Sequence, residues 1–222
     1  TRLKSSDPDK IGYFAFTQKA AHEARDRAIK KFNFSEDDLP YFRTLHSLAF
    51  RQLGLKKENV MQPHHYKELG SSLKVPFSIS VNNNDESGGF LSSNSPELNI
   101  INAAKHKQIT TLQQYDLGEH ISDVSREKVE ILSNELETYK KEKNLIDYND
   151  MITQFIKSDK CPNFDVTFID EAQDLSKVQW SMTDKVFQNT GDSFIAGDDD
   201  QAIFRWAGAD VDSFIALDGK IN

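Results

Sequence analysis

The clearest pattern of apolar and polar positions lies at 166–210, where two hydrophobic runs each lead into acidic residues. The run at 166–169 leads into the sequence DEAQD at 170–174, and the run at 193–197 leads into DDDQ. Short runs that are rich in β-branched and aromatic residues predict buried strands. The pattern therefore predicts two strands, each followed by a cluster of carboxylates.

A helix is predicted between these strands, at 177–188. Ser176 is suited to cap its start, and Gln179 stands where a capping box requires Glu or Gln. Its apolar positions recur every four residues, at Val178, Met182 and Val186. Strand, helix and strand at this spacing form a βαβ unit, which predicts parallel strands and places both acidic clusters at the carboxyl edge of one sheet.

Carboxylates at a strand end have two interpretations. A single Asp there is most often a helix cap or part of a solvated turn, but here an Asp-Glu pair follows one strand and an Asp-rich turn follows the other. Such a group suits Mg²⁺, which prefers oxygen ligands beside phosphates. It also suits a carboxylate that orients a water for attack on phosphorus, and we favour this functional interpretation.

The preceding part of the chain predicts two more units. A strand at 11–16 is followed by a helix that Thr17 caps, and Thr44 caps a second, short helix with Leu45, Leu48 and Leu53 on one side. Within the central part, 125–144 predicts a long amphipathic helix. The Ser-, Asn- and Gly-rich stretch at 78–97 predicts a loop with a short strand at its start.

Composition excludes several classes of protein. The single cysteine, Cys161, excludes an internal disulfide and a cysteine-rich zinc site, and no apolar run has the length of a membrane span. The N-terminal residues do not resemble a signal peptide, so we expect a cytoplasmic protein that does not contact a membrane. The net charge of −8 argues mildly against a nucleic-acid-binding protein, although a narrow cleft for one strand needs only local basic and aromatic residues.

Four sequence motifs carry a resemblance to a known family. FIDEAQD at 168–174 and IAGDDDQAIFRWAGAD at 195–210 resemble motifs II and III of the UvrD/Rep/PcrA group of superfamily-one DNA helicases. AFTQKAAHEARDR at 15–27 is similar to motif Ia of that group, and TLHSLAFRQLG at 44–54 is similar to motif Ib. The stretch LIDYNDMI at 145–152 resembles the end of the helical insertion in UvrD-type enzymes.

The resemblance implies a nucleotide site at the two acidic clusters. Asp170 would hold Mg²⁺, Glu171 would activate the attacking water, and Gln201 would sense the γ-phosphate of ATP. Asp198 would lie beside the nucleotide as well.

The resemblance also implies contacts with single-stranded or duplex DNA. These would come from Phe16, Thr17, Thr44, His46, Ser47, Phe204, Arg205 and Trp206. Two alternatives remain open: His46 is equally well explained as a structural hydrogen-bonding residue, and Trp206 as a buried packing residue. The sequence departs from the family at Ala207, where an Arg is usual, and at Phe204, where a Tyr is usual.

The implied fold is α/β, with a RecA-like parallel sheet of the P-loop NTPase type that a mainly α-helical subdomain interrupts. We expect residues 1–56 and 161–222 to form the motor domain and 57–160 the insertion. The chain contains no Gly-x-x-x-x-Gly-Lys-Ser/Thr motif and no second RecA-like domain, so we expect a fragment that is inactive alone.

The implied function of the complete protein is that of an ATP-dependent DNA helicase and single-stranded DNA translocase. Two alternatives remain at this stage: a non-catalytic module that binds DNA or a partner, and the motor subunit of a helicase-nuclease.

Overall fold

The computed structural model describes residues 6–74, 79–80, 92–118, 124–202 and 208–217. In chain order, the strands are β1 (Ile11–Ala15), β2 (Phe42–Thr44), β3 (Ile79–Ser80), β4 (Ser92–Ser93), β5 (Phe164–Ile169) and β6 (Thr190–Ile195). The helices are α1 (Gln18–Phe32), α2 (Leu45–Leu53), α3 (Pro63–Ser72), α4 (Pro96–Lys107), α5 (Thr111–Asp116), α6 (Arg126–Lys143), α7 (Tyr148–Lys157), α8 (Lys177–Phe187) and α9 (Val211–Ile215).

Four strands form one parallel sheet in the order β2-β1-β5-β6. The register places Phe14 of β1 beside Ile169 of β5, and Ile169 beside Ile195 of β6. Three strands therefore end at the same level, and the loops that follow them share one edge. The predicted β5-α8-β6 unit and the α/β fold class are confirmed.

Local sequence explains where α8 begins. The backbone N–H of Ser176 donates to Oε1 of Gln179 at 2.8 Å, which completes the predicted capping box. Val178, Met182 and Val186 are buried, as their four-residue spacing predicts. The helix is thereby held against β5 and β6, and its start is fixed directly after the acidic loop.

The main hydrophobic cluster lies between the sheet and three helices. Phe14 and Ile169 of the sheet pack with Leu48 of α2, with Met182 of α8 and with Phe155 of α7. Helix α7, which lies within the expected insertion at 57–160, thus packs in the same hydrophobic cluster as the sheet.

A second hydrophobic cluster is built from residues between Met61 and Leu145, mainly on α3, α4 and α6. The chain enters and leaves this segment at adjacent points. The N–H of Met61 donates to the carbonyl of Ile146 at 2.8 Å, and the N–H of Ile146 donates to the carbonyl of Asn59 at 2.9 Å. Backbone hydrogen bonds therefore join the two ends of the segment that contains this second cluster.

The long helix α6 agrees with its predicted range, because Ser125 and Asn144 are its two cap residues. Its buried face consists of Val129, Leu132 and Leu136, continued by Lys140. Lys140 stands four, eight and eleven residues after the buried positions of this face. The charged end of its side chain therefore needs partners inside the protein.

The stretch at 78–97 begins with a strand, as predicted: Ile79–Ser80 pairs antiparallel with Ser92–Ser93. Residues 81–91, the centre of the predicted loop, lie outside the described residues. The end of the stretch is helical, since Ser95 caps α4 by accepting a hydrogen bond from the N–H of Leu98 at 3.2 Å. Within the described part of the chain, we find no helix with both the length and the apolar character of a membrane span.

Candidate functional site

Asp170 follows the last residue of β5 and is held by three hydrogen bonds. Its N–H donates to the carbonyl of Phe14 on β1 at 2.9 Å, which continues the sheet by one residue. Its Oδ1 accepts the N–H of Glu171 at 3.1 Å, and its Oδ2 accepts the hydroxyl of Tyr13. The carboxylate is thus oriented from both sides at the carboxyl edge of the sheet.

Glu171 occupies the left-handed backbone region, with φ 54° and ψ 43°. A residue with a Cβ adopts this region only occasionally, and such positions concentrate at functional sites. The side chain is exposed, and its Oε2 accepts a hydrogen bond from Nε2 of Gln173 at 2.7 Å. This sharp turn exposes Glu171 while the next five residues are buried.

Gln173 connects the loops that follow β5 and β6. Its side chain is 1% exposed, and its Oε1 accepts the N–H of Asp198 at 3.0 Å. The backbone joins the same loops, because the N–H of Ala172 donates to the carbonyl of Ala196 at 3.0 Å. The two acidic clusters of the sequence are therefore neighbours in space.

The loop after β6 arranges its own polar residues around Asp198. Oδ1 of Asp198 accepts the N–H of Asp200 at 3.1 Å, and Oδ2 accepts the side-chain amide of Gln201. Both Asp198 and Gln201 are exposed. The structure thus brings Asp170, Glu171, Asp198 and Gln201 to one edge of the sheet, as their positions after parallel strands predict.

Asp174 differs from the other carboxylates of this edge because it is buried. Burial, followed by the nearby charge of Glu171, raises the pKa of Asp174 to about 6. Its Oδ1 has no hydrogen-bond partner among the described residues. A strand-end Asp and a buried Asp look alike in sequence, so only the structure separates them.

Tyr13 is a residue of this site that sequence reasoning missed. Burial and, next, the hydrogen bond to Asp170 raise the pKa of the Tyr13 hydroxyl above its ordinary value, so it remains a proton donor. Its ring stacks on Phe42 with centroids 5.4 Å apart. Nothing in the local pattern of β1 distinguishes this tyrosine from a packing residue.

The predicted DNA-contacting turn after β1 requires a correction. The side chain of Phe16 is 3% exposed and belongs to the main hydrophobic cluster, so it presents no surface on which a base can stack. Thr17 caps α1, with Oγ1 accepting the N–H of Ala20 at 3.1 Å. The turn can offer DNA its backbone and Thr17, but not the Phe16 ring.

The second predicted DNA-contacting group surrounds the start of α2. Thr44 is mostly buried and accepts the N–H of Ser47 at 3.2 Å, and Oγ of Ser47 accepts a bond from Nη1 of Arg43 at 3.2 Å. The ring of His46 packs edge-on against Tyr148, and burial lowers the pKa of His46 to about 4. The structural interpretation of His46 accounts for this packing.

The third group, Phe204, Arg205 and Trp206, lies outside the described residues. The chain that follows is anchored beside the acidic loop. The N–H of Asp210 donates to the carbonyl of Leu175 at 2.8 Å, and Nε1 of Trp180 donates to the carbonyl of Asp210 at 3.2 Å.

A buried ion cluster that joins α4 and α6 to the start of α7 was not predicted. The ammonium group of Lys105 lies 2.6 Å from Asp147, and that of Lys140 lies 2.9 Å from Asp147 and 2.6 Å from Asp150. Glu137 completes the cluster, at 2.9 Å from Lys105 and 2.7 Å from Lys140. Its three carboxylates approach one another as metal ligands do, but the two ammonium groups already supply the positive charge.

The cluster controls the ionisation of Asp147. Burial alone would raise the pKa of this carboxyl group, but the charges of Lys105 and Lys140 override that effect and hold it below its ordinary value. The sequence did contain a signal, because Lys140 continues the buried face of α6.

Comparison with known proteins gives one family. The model of the UvrD/REP helicase N-terminal domain matches residues 2–222. The ATP-dependent DNA helicase Rep of Buchnera aphidicola is 26% identical over 95% of this chain and 34% of its own length. A probable DNA helicase II homolog of Mycoplasma genitalium is 26% identical over 97% of this chain and 32% of its own length.

The ATP-dependent DNA helicase PcrA of Bacillus subtilis is 25% identical over 95% of this chain and 29% of its own length. The chain thus spans about a third of the length of these curated relatives.

Proposed function

Because the chain belongs to the UvrD/REP helicase N-terminal domain family, we propose that the complete protein is an ATP-dependent DNA helicase that translocates along single-stranded DNA. This chain supplies part of its motor domain. One observation carries the proposal: the two acidic loops meet at the carboxyl edge of a parallel sheet, where Gln173 bonds both Glu171 and Asp198. Open α/β sheets bind ligands at this edge.

The residues at this edge fit Mg²⁺. Asp170 offers an oriented carboxylate, and its two hydrogen-bond donors leave further lone pairs on both oxygens. Mg²⁺ takes few protein ligands and keeps several waters, so a single well-placed carboxylate beside phosphates suits it. When bound, Mg²⁺ neutralises phosphate charge.

Glu171 is the group we assign to the attacking water. Its carboxylate is exposed at the edge, and its contact with the Gln173 amide leaves its other oxygen for the proton of a water molecule. Gln201 lies on the neighbouring loop and pairs with Asp198, where its amide can turn towards a terminal phosphate. In this proposal Glu171 orients the water, and Gln201 contacts the terminal phosphate.

The DNA contacts remain proposals with one change. Thr17, Thr44, His46, Ser47 and the group at 204–206 stay candidates, whereas the Phe16 ring is withdrawn as a stacking surface because it is buried. Base stacking on aromatic residues is worth about 1–3 kcal/mol per base. We assign this role to Phe204 and Trp206 alone.

The test is the substitution Glu171→Gln in the complete protein. It preserves the size and the hydrogen bond to Gln173 but removes the acceptor of the water proton, so kcat for ATP hydrolysis should fall by about 10²–10⁴. ATP binding should be unchanged. Asp165→Asn is a matched control, because Asp165 is an exposed carboxylate near the opposite end of β5.

A change in kcat of less than a few-fold for Glu171→Gln would reject the proposed role of this residue. If the complete protein bound DNA but hydrolysed no ATP, the non-catalytic alternative would replace the helicase.

A further inference from the structure

Gln173 is the least exposed polar residue of the edge described above, at 1%, and it makes a hydrogen bond to each acidic loop. We propose that Gln173 is a positioning residue that holds the Glu171 carboxylate and makes its position depend on the loop after β6. The inference rests on the proposed function, since Glu171 matters to ATP hydrolysis only there.

The backbone fixes the orientation of the Gln173 amide. The N–H of Asp198 can only donate, so the atom 3.0 Å from it must be the carbonyl oxygen Oε1. The NH₂ group of the same amide therefore faces Glu171, at 2.7 Å. A hydrogen bond to an ionised carboxylate is about twice as strong as one between neutral groups, so Gln173 is a firm partner for Glu171.

Gly197 provides the space that this arrangement needs. A Cβ at position 197 would lie 2.6 Å from Oε1 of Gln173 and 2.9 Å from Cζ of Phe214. Neither neighbour can retreat easily, because Gln173 is buried and Phe214 packs against the main hydrophobic cluster. The glycine is therefore required for close approach of the loop to Gln173, and the hydrogen bond from Asp198 to Gln173 depends on both residues.

Through Gln173, hydrogen bonds connect the loop after β6 to the Glu171 carboxylate. Asp198 belongs to the loop that carries Gln201, and the same loop continues in sequence into the predicted DNA-contacting residues. A displacement of the Asp198 N–H moves the acceptor oxygen of Gln173, and with it the NH₂ group that holds Glu171. Events at the phosphate or at DNA thus reach the group that orients water.

Three substitutions in the complete protein test the hydrogen bonds that Gln173 makes with Glu171 and with Asp198. Gln173→Met keeps the length of the side chain and removes both bonds. Gln173→Glu keeps an acceptor for Asp198 but places a second carboxylate against Glu171. Gly197→Ala leaves Gln173 intact and pushes it out of place. Gln179→Met is the matched control, since Gln179 is also a buried glutamine, at 3% exposed, and its Oε1 accepts the N–H of Ser176 at the start of α8.

We expect Gln173→Met and Gly197→Ala to lower the DNA-stimulated kcat by about tenfold to a hundredfold, the usual loss when a reacting group is slightly misplaced. The KM for ATP should stay within about twofold. Gln179→Met should lower thermal stability as much as Gln173→Met does and leave kcat unchanged. Gln173→Glu should lower kcat as well, because its carboxylate repels that of Glu171 where the amide had donated a hydrogen bond.

Hydrogen exchange of the Asp198 amide tests the connection without any activity measurement. The amide should exchange faster in Gln173→Met and Gly197→Ala, and should keep its protection in Gln173→Glu. Unchanged protection in Gln173→Met, or an unchanged kcat together with faster exchange, would overturn the inference. Failure of the proposed function gives a different result: the unsubstituted complete protein would bind DNA without hydrolysing ATP, while exchange of the Asp198 amide would still respond to Gln173→Met.

Discussion

The hydroxyl group of Tyr13 donates a hydrogen bond to Oδ2 of Asp170, although the two residues are 157 positions apart in the chain. The contact exists because β1 and β5 are neighbours in the sheet and because Asp170 follows the last residue of β5. It orients the one carboxylate that we assign to Mg²⁺, and groups that orient a metal ligand commonly change metal affinity 10- to 100-fold when removed.

Tyr13→Phe should therefore raise the Mg²⁺ concentration needed for half-maximal ATP hydrolysis in the complete protein by about tenfold. The ring keeps its stacking on Phe42, so stability should change little. Tyr41→Phe is the control, because Tyr41 packs edge-on against Phe164 on the same sheet. An unaltered Mg²⁺ dependence would show that the hydroxyl does not orient Asp170 for a metal.

Asp174 should make the protein less stable at neutral pH than at acidic pH. Its folded pKa of about 6 exceeds the ordinary value of 3.8, so between these values the folded state retains a proton that the unfolded state has released. The contribution of Asp174 to the free energy of unfolding therefore falls as pH rises from 3.8 to about 6. Asp174→Asn should gain about 1–2 kcal/mol at pH 8 after allowance for solvent screening, and almost nothing at pH 3.5.

The measurement is urea unfolding of wild type and Asp174→Asn at both pH values, with Asp165→Asn as the exposed comparison. An equal effect of Asp174→Asn at pH 8 and pH 3.5 would contradict the raised pKa.

The buried ion cluster should respond unequally to single and double substitutions. Among the described residues, Lys140→Met leaves Lys105 as the cationic partner of Asp147 and Asp150, and breaking a buried pair from one side typically removes about 3–5 kcal/mol. Adding Asp147→Asn removes one of the stranded charges and should restore part of that loss. Chemical denaturation of the single and double variants measures the difference.

Lys143→Met is the control for this cluster, since Lys143 pairs with Glu68 at 3.2 Å on the surface. It should lower stability by less than about 1 kcal/mol. Equal losses for Lys140→Met and Lys143→Met would mean that the cluster is not effectively buried. Because the pKa of Asp147 is held below its ordinary value, the contribution of this group is present at neutral pH and is lost only in strong acid.

His46 should make stability fall as the solution is acidified below pH 6.5. Burial lowers its pKa to about 4, so between pH 6.5 and pH 4 the unfolded state binds a proton that the folded state does not. The resulting loss amounts to about 1 kcal/mol by pH 5.5. His46→Gln should flatten this part of the pH–stability curve, whatever its effect at pH 8.

His22→Gln serves as the comparison for the histidine experiment, because His22 is exposed on α1. The prediction fails if His46→Gln and His22→Gln give curves of the same slope between pH 7 and pH 5.

Local patterns predicted the parts of the fold that depend on local spacing. The β5-α8-β6 unit, the caps at Thr17, Thr44 and Ser176, and the range of α6 all follow from residues close together in the chain. The shared edge of the acidic loops follows too, because parallel strands end on the same side.

Contacts between distant residues could not be predicted in this way. Spacing along β1 does not show that Tyr13 reaches Asp170, and the start of an exposed turn looks the same whether Phe16 is buried or exposed. Gln173 belongs to the motif at 168–174, but its proposed role depends on a hydrogen bond from Asp198, which lies in the loop after a different strand. Each miss concerns a partner that only the assembled sheet supplies.

The adjacency of Met61 and Ile146 has a consequence for how this protein family can diversify. A segment whose two ends are fastened together is a closed loop, and the entropy of closing a loop rises only with the logarithm of its length. Doubling that length changes the closure entropy by only about 0.6 kcal/mol. Longer or shorter connections between the helices of this segment are therefore thermodynamically inexpensive, provided that the helices keep their shared hydrophobic cluster and the two ends of the segment still meet.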